Sequence, residues 1–345
     1  MPAIDVTAHT IPTDRPESDG TLAWDSTTIV VVEAHAEGIT GLGYTYGPES
    51  IAGLISGALA GVVEGVDPLS PQSAWAAMSR TARNAEHAYA VSAVDIALHD
   101  LKARLLGVSL ADLLGRWHDG VEAYGSGGFT SYPLDVLRDQ AAGWTEAGLG
   151  RVKVKVGREP LADGERLAAV REVVGDDVRL MVDANGAFEP AMAIRAAHET
   201  YAAHGVSWLE EPVSSDDPAG LRRVRDASPP SIEIAAGEYA TSAFDMHPLL
   251  DAVDVLQVDV TRCGGVTGVM RADALATARC LPLSAHCAPA VSAHVFAACE
   301  TAVHLEYFHD HVRIEEQLFD GTLSPVGGRL IPDRARPGLG LELRT

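Results

Sequence analysis

The sequence predicts a closed parallel α/β barrel preceded by a smaller α+β segment, and three observations carry the prediction. From about residue 121 of the 345, short apolar strands alternate with amphipathic helical stretches, which is the pattern of a parallel sheet. Eight strand candidates can be read there, enough to close a barrel rather than leave an open sheet. A polar or charged residue also recurs near the ends of these strands at almost constant spacing.

The elements follow in order. TTIVVVEAHAEG (27–38) is a β-rich run ending at Gly38, and GLGYTYG (41–47) reads as its hairpin partner. Two helical stretches follow, at 49–65 and at 87–107. In the second, Val94, Ala97, Leu98, Leu101 and Leu105 form an apolar stripe at helical spacing, which reads as a packing face. Residues 1–118 therefore read as an α+β unit. The barrel, 119–312, begins with VEAYGSG and continues through RVKVKVG, VRLMVDAN, VSWLEEP, IEIAAGE, VDVLQVD, LPLSAH and VHLEYF. Helical segments such as PLADGERLAAVREVVG and GVTGVMRADALATARC lie between them. The Gly- and Pro-rich tail, 313–345, is expected to pack back on the first unit. GSGG (125–128) lacks the full spacing and downstream acid of a dinucleotide fingerprint.

Composition narrows the function. A net charge of −22 argues against nucleic acid and anionic membrane surfaces, which need clustered cations. No apolar run is long enough to suggest a membrane span, and the N-terminus has no secretory pattern. Cys263, Cys280, Cys287 and Cys299 show no CxxC spacing, so reduced thiols in a cytoplasmic protein are expected. Of the 26 basic residues 23 are arginines, and two of the three lysines, Lys153 and Lys155, stand two apart in one strand. Lysine can lose its proton in a tuned site and arginine effectively cannot, so this pair looks selected for chemistry.

The strand ends carry that chemistry. Lys155, Asp183, Glu210, Glu238, Asp259, His286 and Glu306 follow one another at intervals of 28, 27, 28, 21, 27 and 20 residues. That places one polar group per βα unit at the carboxyl-end face, where barrels of this kind hold their sites. Asp183, Glu210 and Glu238 come from consecutive strands. Three carboxylates converging there would repel one another without a cation between them, and an oxygen-only set suits Mg²⁺. Lys153 and Lys155 share a strand face. An Asp beside a His, here Asp259 and His286, can orient the imidazole and raise its basicity.

KVKVG, MVDAN, WLEEP, AAGE, QVDVTRCGGVTG, LPLSAH and HLE, in this order, resemble the motifs of the mandelate racemase subgroup of the enolase superfamily, and the segment before them resembles that family's capping domain. The resemblance implies a modified TIM barrel of (β/α)7β type. It implies magnesium ligands at Asp183, Glu210 and Glu238, with Glu211 not a ligand. It further implies a base at Lys155 and a partner at Lys153 that stabilises the substrate carboxylate and helps hold the Lys155 pKa down. An opposite-face acid/base at His286 assisted by Asp259, and an acid at Glu306 that hydrogen-bonds the enolate oxygen, complete the set. Related muconate cycloisomerases and dipeptide epimerases carry a lysine where this chain has Asp259, which favours the mandelate racemase subgroup.

Such a site removes the proton α to a carboxylate. Loss of a β-hydroxyl then gives a 2-keto-3-deoxy acid, and reprotonation gives a racemase or epimerase; the resemblance favours dehydration of an acid sugar. A metal-binding barrel without catalysis has no use for two lysines and a His–Asp pair. The expected partners are a small carboxylate substrate and further copies of the chain, as a dimer or octamer. Trp24, Tyr44 to Tyr46, Phe129 to Tyr132, His309 and His311 are candidates for the mouth of the barrel.

Overall fold

The computed structural model describes residues 2–344. Its first unit is an antiparallel sheet of β1 (Ala3–Ser18), β2 (Ala23–Ala36) and β3 (Ile39–Tyr46) in that order. β2 explains its own apolar run. Side chains alternate across a strand, and Val30, Val32 and Ala34 join the core of the first unit while Ile29 and Val31 join the core of the barrel. β1 was not foreseen as a strand. It lies at the sheet edge, pairs with β2 only, and is largely exposed along a polar sequence interrupted by Pro12. Edge strands need no continuous apolar signal.

Against this sheet packs α1 (Ala85–Leu106). Asn84 caps it by accepting from the His87 N–H at 2.8 Å, and Gly107 ends it at φ 68°. The foreseen stripe is its packing face: Val94, Ala97, Leu98 and Leu101 are buried. β3 lies so close to α1 that a Cβ on Gly43 would stand 2.2 Å from the Ala93 carbonyl oxygen.

The second unit is a closed barrel of eight parallel strands: β4 (Val121–Gly127), β5 (Arg151–Lys155), β6 (Arg179–Asp183), β7 (Val206–Glu210), β8 (Glu233–Ala236), β9 (Val255–Asp259), β10 (Leu283–His286) and β11 (Ala302–Phe308). Each pairs with the next, and β11 returns to β4 with Leu305 opposite Ala123. All eight strand candidates are strands, and helices separate them. Tyr124, Met181, Trp208, Ala235 and Val255, one from each of five strands, form a separate buried cluster.

The GG pair of the barrel fixes one unit on the other. Gly265 begins α2 (Gly265–Arg279), and a Cβ there would meet Asp95 Oδ2 of α1 at 2.6 Å. That carboxylate accepts from Thr267 N–H at 2.9 Å and from its hydroxyl at 2.7 Å. Ser92 Oγ of α1 accepts from Gly264 N–H at 2.9 Å. α3 (His309–Leu318) crosses residue 312. Beyond it the tail touches both units: Leu339 N–H donates to Asp100 and Arg104 pairs with Glu342, while Arg329–Leu330 pairs antiparallel with β4.

Candidate active site

The strand ends converge as their spacing predicts. Lys155, Asp183, Glu210, Asp259 and His286 are each the last residue of a barrel strand. Glu238 lies two residues beyond the end of β8, past Gly237, and Glu306 lies in the middle of β11. All seven are buried.

Asp183, Glu210 and Glu238 offer oxygens within 4.8 Å of one another. Their surroundings test whether a cation fits. Glu238 Oε2, Glu211 Oε1 and Asn185 Oδ1 are buried acceptors that receive no hydrogen bond. Glu238 Oε2 stands 2.9 Å from His286 Nε2, but off the hydrogen-bonding direction of the ring nitrogen. Burial, reinforced by the charge of Asp183, pushes the Glu210 carboxyl up to about 8 although Lys153 pulls it down. Orphaned oxygens and a carboxylate driven to hold its proton mark a negative excess that a hard divalent cation would relieve. Mg²⁺ fits this donor set, with Asp183, Glu210 and Glu238 as the residues able to hold it.

The lysines stand deeper among the acids than expected. Lys153, with no exposed surface, places Nζ 2.6 Å from Glu210 Oε1, 2.9 Å from Glu306 Oε1 and 3.6 Å from Asp183 Oδ2. Lys155 Nζ lies 2.5 Å from Asp183 Oδ2. Burial and, as the resemblance implies, Lys153 act to lower the Lys155 pKa, but Asp183, Glu238 and Glu306 together raise it above its ordinary value. The anionic set outweighs one neighbouring ammonium.

His286 Nδ1 lies 2.7 Å from Asp259 Oδ2, which fixes its ring. Asp259 is anchored in turn, its Oδ1 accepting from Thr261 N–H at 2.6 Å and from the Thr261 hydroxyl at 2.7 Å. Burial disfavours the imidazolium, but Cys287, Glu238, Glu306 and Asp259 together raise the His286 pKa well above its ordinary value. Glu306 accepts from Ser126 Oγ at 2.5 Å and from Cys287 N–H at 3.1 Å. Burial would raise its pKa, yet Lys153, His286 and Lys155 hold it well below the usual carboxylate range. A lysine, an Asp-oriented histidine and a carboxylate cluster in one space can hold a carboxylate substrate and move protons beside it.

A cavity of about 340 Å³ opens over this floor. Lys155, Glu238 and His286 line it from the barrel, and Trp24, Thr27 and Tyr46 from the first unit. Of the mouth candidates, Trp24, Tyr46 and His311 line the cavity. Tyr44 instead donates to Glu315 at 2.5 Å and Thr45 to the Thr261 carbonyl at 2.8 Å. Phe129 packs edge-on beneath Trp24 at 5.4 Å, Tyr132 bonds Glu17, and His309 pairs with Asp14 at 3.3 Å. Sequence reasoning missed Arg262, whose guanidinium reaches Asp259 Oδ2 at 3.4 Å and Glu238 Oε1 at 3.5 Å. One arginine among 23 carries no signal of its own; only its place three residues after Asp259 could have marked it. Asp310, Asn185 and Cys287 were likewise missed as lining groups.

Residues 136–345 match the enolase C-terminal domain-like family, and residues 3–115 match the mandelate racemase / muconate lactonizing enzyme N-terminal domain. The chain belongs to the enolase superfamily, in its mandelate racemase/muconate lactonizing group. Among characterised members of the superfamily, a D-galactarolactone cycloisomerase from Agrobacterium fabrum is 31% identical over 96% of this chain and 93% of its own. An L-talarate/galactarate dehydratase from Salmonella typhimurium is 36% identical over 81% of this chain and 69% of its own. The fold matches a mandelate racemase/muconate lactonizing enzyme-like protein from Rubrobacter xylanophilus with a TM-score of 0.97 at 57% identity, covering 99% of this chain and 96% of that one. It also matches a racemase from Streptomyces coelicolor with bound magnesium, TM-score 0.92 at 30% identity, covering 99% and 97%.

Proposed function

We propose that this enolase-superfamily enzyme removes the proton α to the carboxylate of an acid sugar and expels a β-hydroxyl, giving a 2-keto-3-deoxy acid. The observation that carries the reading is the pairing, in one cavity, of an Asp-oriented His286 with Lys155 beside three converging carboxylates. Asp183, Glu210 and Glu238 hold the Mg²⁺. When bound, this cation supplies a Lewis acid that stabilises the negative charge developing on the substrate carboxylate. With the surrounding carboxylates neutralised by the cation they would hold, Lys155 or His286 would be free to shed its proton and take the α-proton, according to the configuration of the carbon it faces. The electron pair of the C–H bond forms the enediolate. His286, held by Asp259, protonates the departing β-hydroxyl, so the C–O bond breaks and water leaves. The enol that remains takes a proton at carbon and becomes the keto acid. A hydrogen bond from Glu306 to the enediolate oxygen needs a protonated carboxyl, whereas Lys153, His286 and Lys155 favour its anion. Glu306, fixed by Ser126 and Cys287, therefore holds the Lys153 ammonium that adds positive charge below.

The same two bases support a second reading, racemisation or epimerisation, in which the second group returns a proton to the opposite face. Proton NMR in D₂O with Mg²⁺ over a panel of acid sugars separates them. Dehydration removes the α-proton signal and produces a 2-keto-3-deoxy acid; racemisation removes the signal and leaves the skeleton intact. Lys155→Met and His286→Asn are each expected to lower turnover about 10²- to 10⁴-fold, the range for loss of a proton-transfer group. Loss of the α-proton unaffected by both substitutions would overturn the reading. We further propose a homo-oligomer and a cytoplasmic location, supported by exposed Phe244 and Trp117 and by four free cysteines.

A further inference from the structure

The cavity has two chemically different ends. Among the described residues, every cation that lines it stands on the floor, and each is already committed. Lys155 rests on Asp183, His286 on Asp259, and Arg262 bridges Asp259 and Glu238. The opposite wall, built by the first unit and by the start of α3, is made of hydroxyls, carboxylates and aromatic rings: Asp19, Trp24, Ser26, Thr27 and Asp310 line it. Thr27 donates to Asp310 Oδ2, and the other oxygen of Asp310 takes the Arg313 guanidinium at 2.5 Å. His311 is stacked on Tyr46 at 3.4 Å between ring centroids. Its Nδ1 accepts from the Ala288 N–H at 3.2 Å, which leaves the proton on Nε2 and makes the ring a neutral donor.

The second layer of the wall holds a further carboxyl, Glu17. Glu17 accepts from Trp24 Nε1 at 3.0 Å and stands near Asp310. Burial, then the charge of Asp310, pushes its carboxyl up to about 8, despite Tyr132, Trp24 and Arg313. A wall that drives one of its own carboxyls to keep a proton has no spare positive charge for a ligand.

We propose that this wall reads the hydroxyl-bearing far end of a monocarboxylate acid sugar and rejects a second carboxylate, so that the enzyme acts on aldonate-type rather than aldarate-type substrates. The inference rests on the reaction proposed above and deepens it. A hydroxyl can donate to Asp310 or accept from His311 Nε2–H. A terminal carboxylate would face Asp19 and Asp310 with no free cation opposite it, and a desolvated charge without a partner is strongly disfavoured. Asp310 and Asp19 are thereby residues that set specificity.

The test uses the full-length chain loaded with Mg²⁺ and matched ligand pairs that differ only at the terminal carbon: D-gluconate with D-glucarate, and D-galactonate with galactarate. Turnover is read by proton NMR and affinity by calorimetry. In any pair that is processed, the monoacid is expected to lead in kcat/KM by on the order of 100-fold, the scale of a buried unpaired charge. Asp310→Asn and, as a second variant, Asp19→Asn, each replacing a carboxylate of the wall by a neutral amide, are expected to narrow that preference while circular dichroism confirms the fold. Arg313, released from Asp310, becomes available to a terminal carboxylate in the first variant. Equal or better turnover of the diacid overturns the proposal, as does a preference unmoved in both folded variants. Preferential binding of the monoacid without any α-proton loss would leave the proposal standing and defeat the reaction above. Absence of binding by all four acids overturns it.

Discussion

At the scale of single residues, the arrangement around His286 makes a sharp prediction. Asp259 touches the ring at Nδ1 and touches no cavity, so it acts by orienting the imidazole and stabilising its protonated form. Asp259→Asn keeps the shape and removes the charge. It is expected to lower kcat by about 10²- to 10⁴-fold with little change in KM, the pattern of an interaction realised in the transition state. Asp259 is also among the groups that raise the His286 pKa. The imidazole of the Mg²⁺-loaded variant should therefore titrate at lower pH than in the parent, read by NMR of the ring protons. A ring pKa unchanged by the substitution would mean that Asp259 does not set the state of His286. The identities of the seven strand-end residues were legible in the sequence because one barrel repeat brings each back to the same face. Arg262 and Asp310 were not legible. Each acts through partners far away in sequence or on a loop, Arg262 on Glu238 and Asp310 on Thr27, and no local pattern encodes such contacts.

At the scale of elements, the crossing of α1 and α2 decides whether the wall and the floor of the cavity meet in register. Gly265 sits at φ +72° with Asp95 Oδ2 2.6 Å from where a Cβ would stand. Gly265→Ala thus imposes backbone strain and pushes the carboxylate away from Thr267. The expected cost is about 1–3 kcal/mol from the backbone alone, measured as a fall in the denaturation midpoint. Asp95→Ala removes the same contact without touching the backbone. It leaves the buried Thr267 N–H without this acceptor, at about 1–3 kcal/mol. If both variants keep wild-type stability, the GG turn does not clamp the two units. The eight barrel strands were legible because buried parallel strands are short apolar runs bounded by turn residues. β1 was illegible for the opposite reason: it pairs along one edge only, and its Asp, Thr, His and Arg residues give no apolar run. The GGVTG segment was visible as a motif, but its role as the seat of α1 depends on packing between units that the sequence does not display.

At the scale of the whole molecule, charge and stability are linked through the barrel mouth. The chain carries a net charge of −22, and four fully buried acids, Asp183, Glu210, Asp259 and Glu306, converge at the barrel mouth. Without a cation, Glu210 is pushed up to about 8, chiefly by burial and then by Asp183. A carboxyl whose folded-state pKa lies above its unfolded value binds its proton more tightly in the folded protein. The stabilisation it gives is complete below the unfolded pKa and is lost as pH rises through the folded one. The metal-free protein should accordingly lose stability between about pH 4.5 and 8, the interval between the ordinary and the raised Glu210 values. Mg²⁺ binds the ionised carboxylates of the folded state, so its stabilisation should grow across the same interval. At a Mg²⁺ concentration 100 times Kd the gain is about 2.7 kcal/mol by mass action. Melting curves with EDTA and with Mg²⁺ at several pH values check both statements. Curves that separate more widely as pH rises support a cation seated among Asp183, Glu210 and Glu238. Curves that stay parallel, or a Glu238→Gln variant that keeps the full Mg²⁺ response, would place the cation elsewhere and remove the electrostatic basis for catalysis at this face.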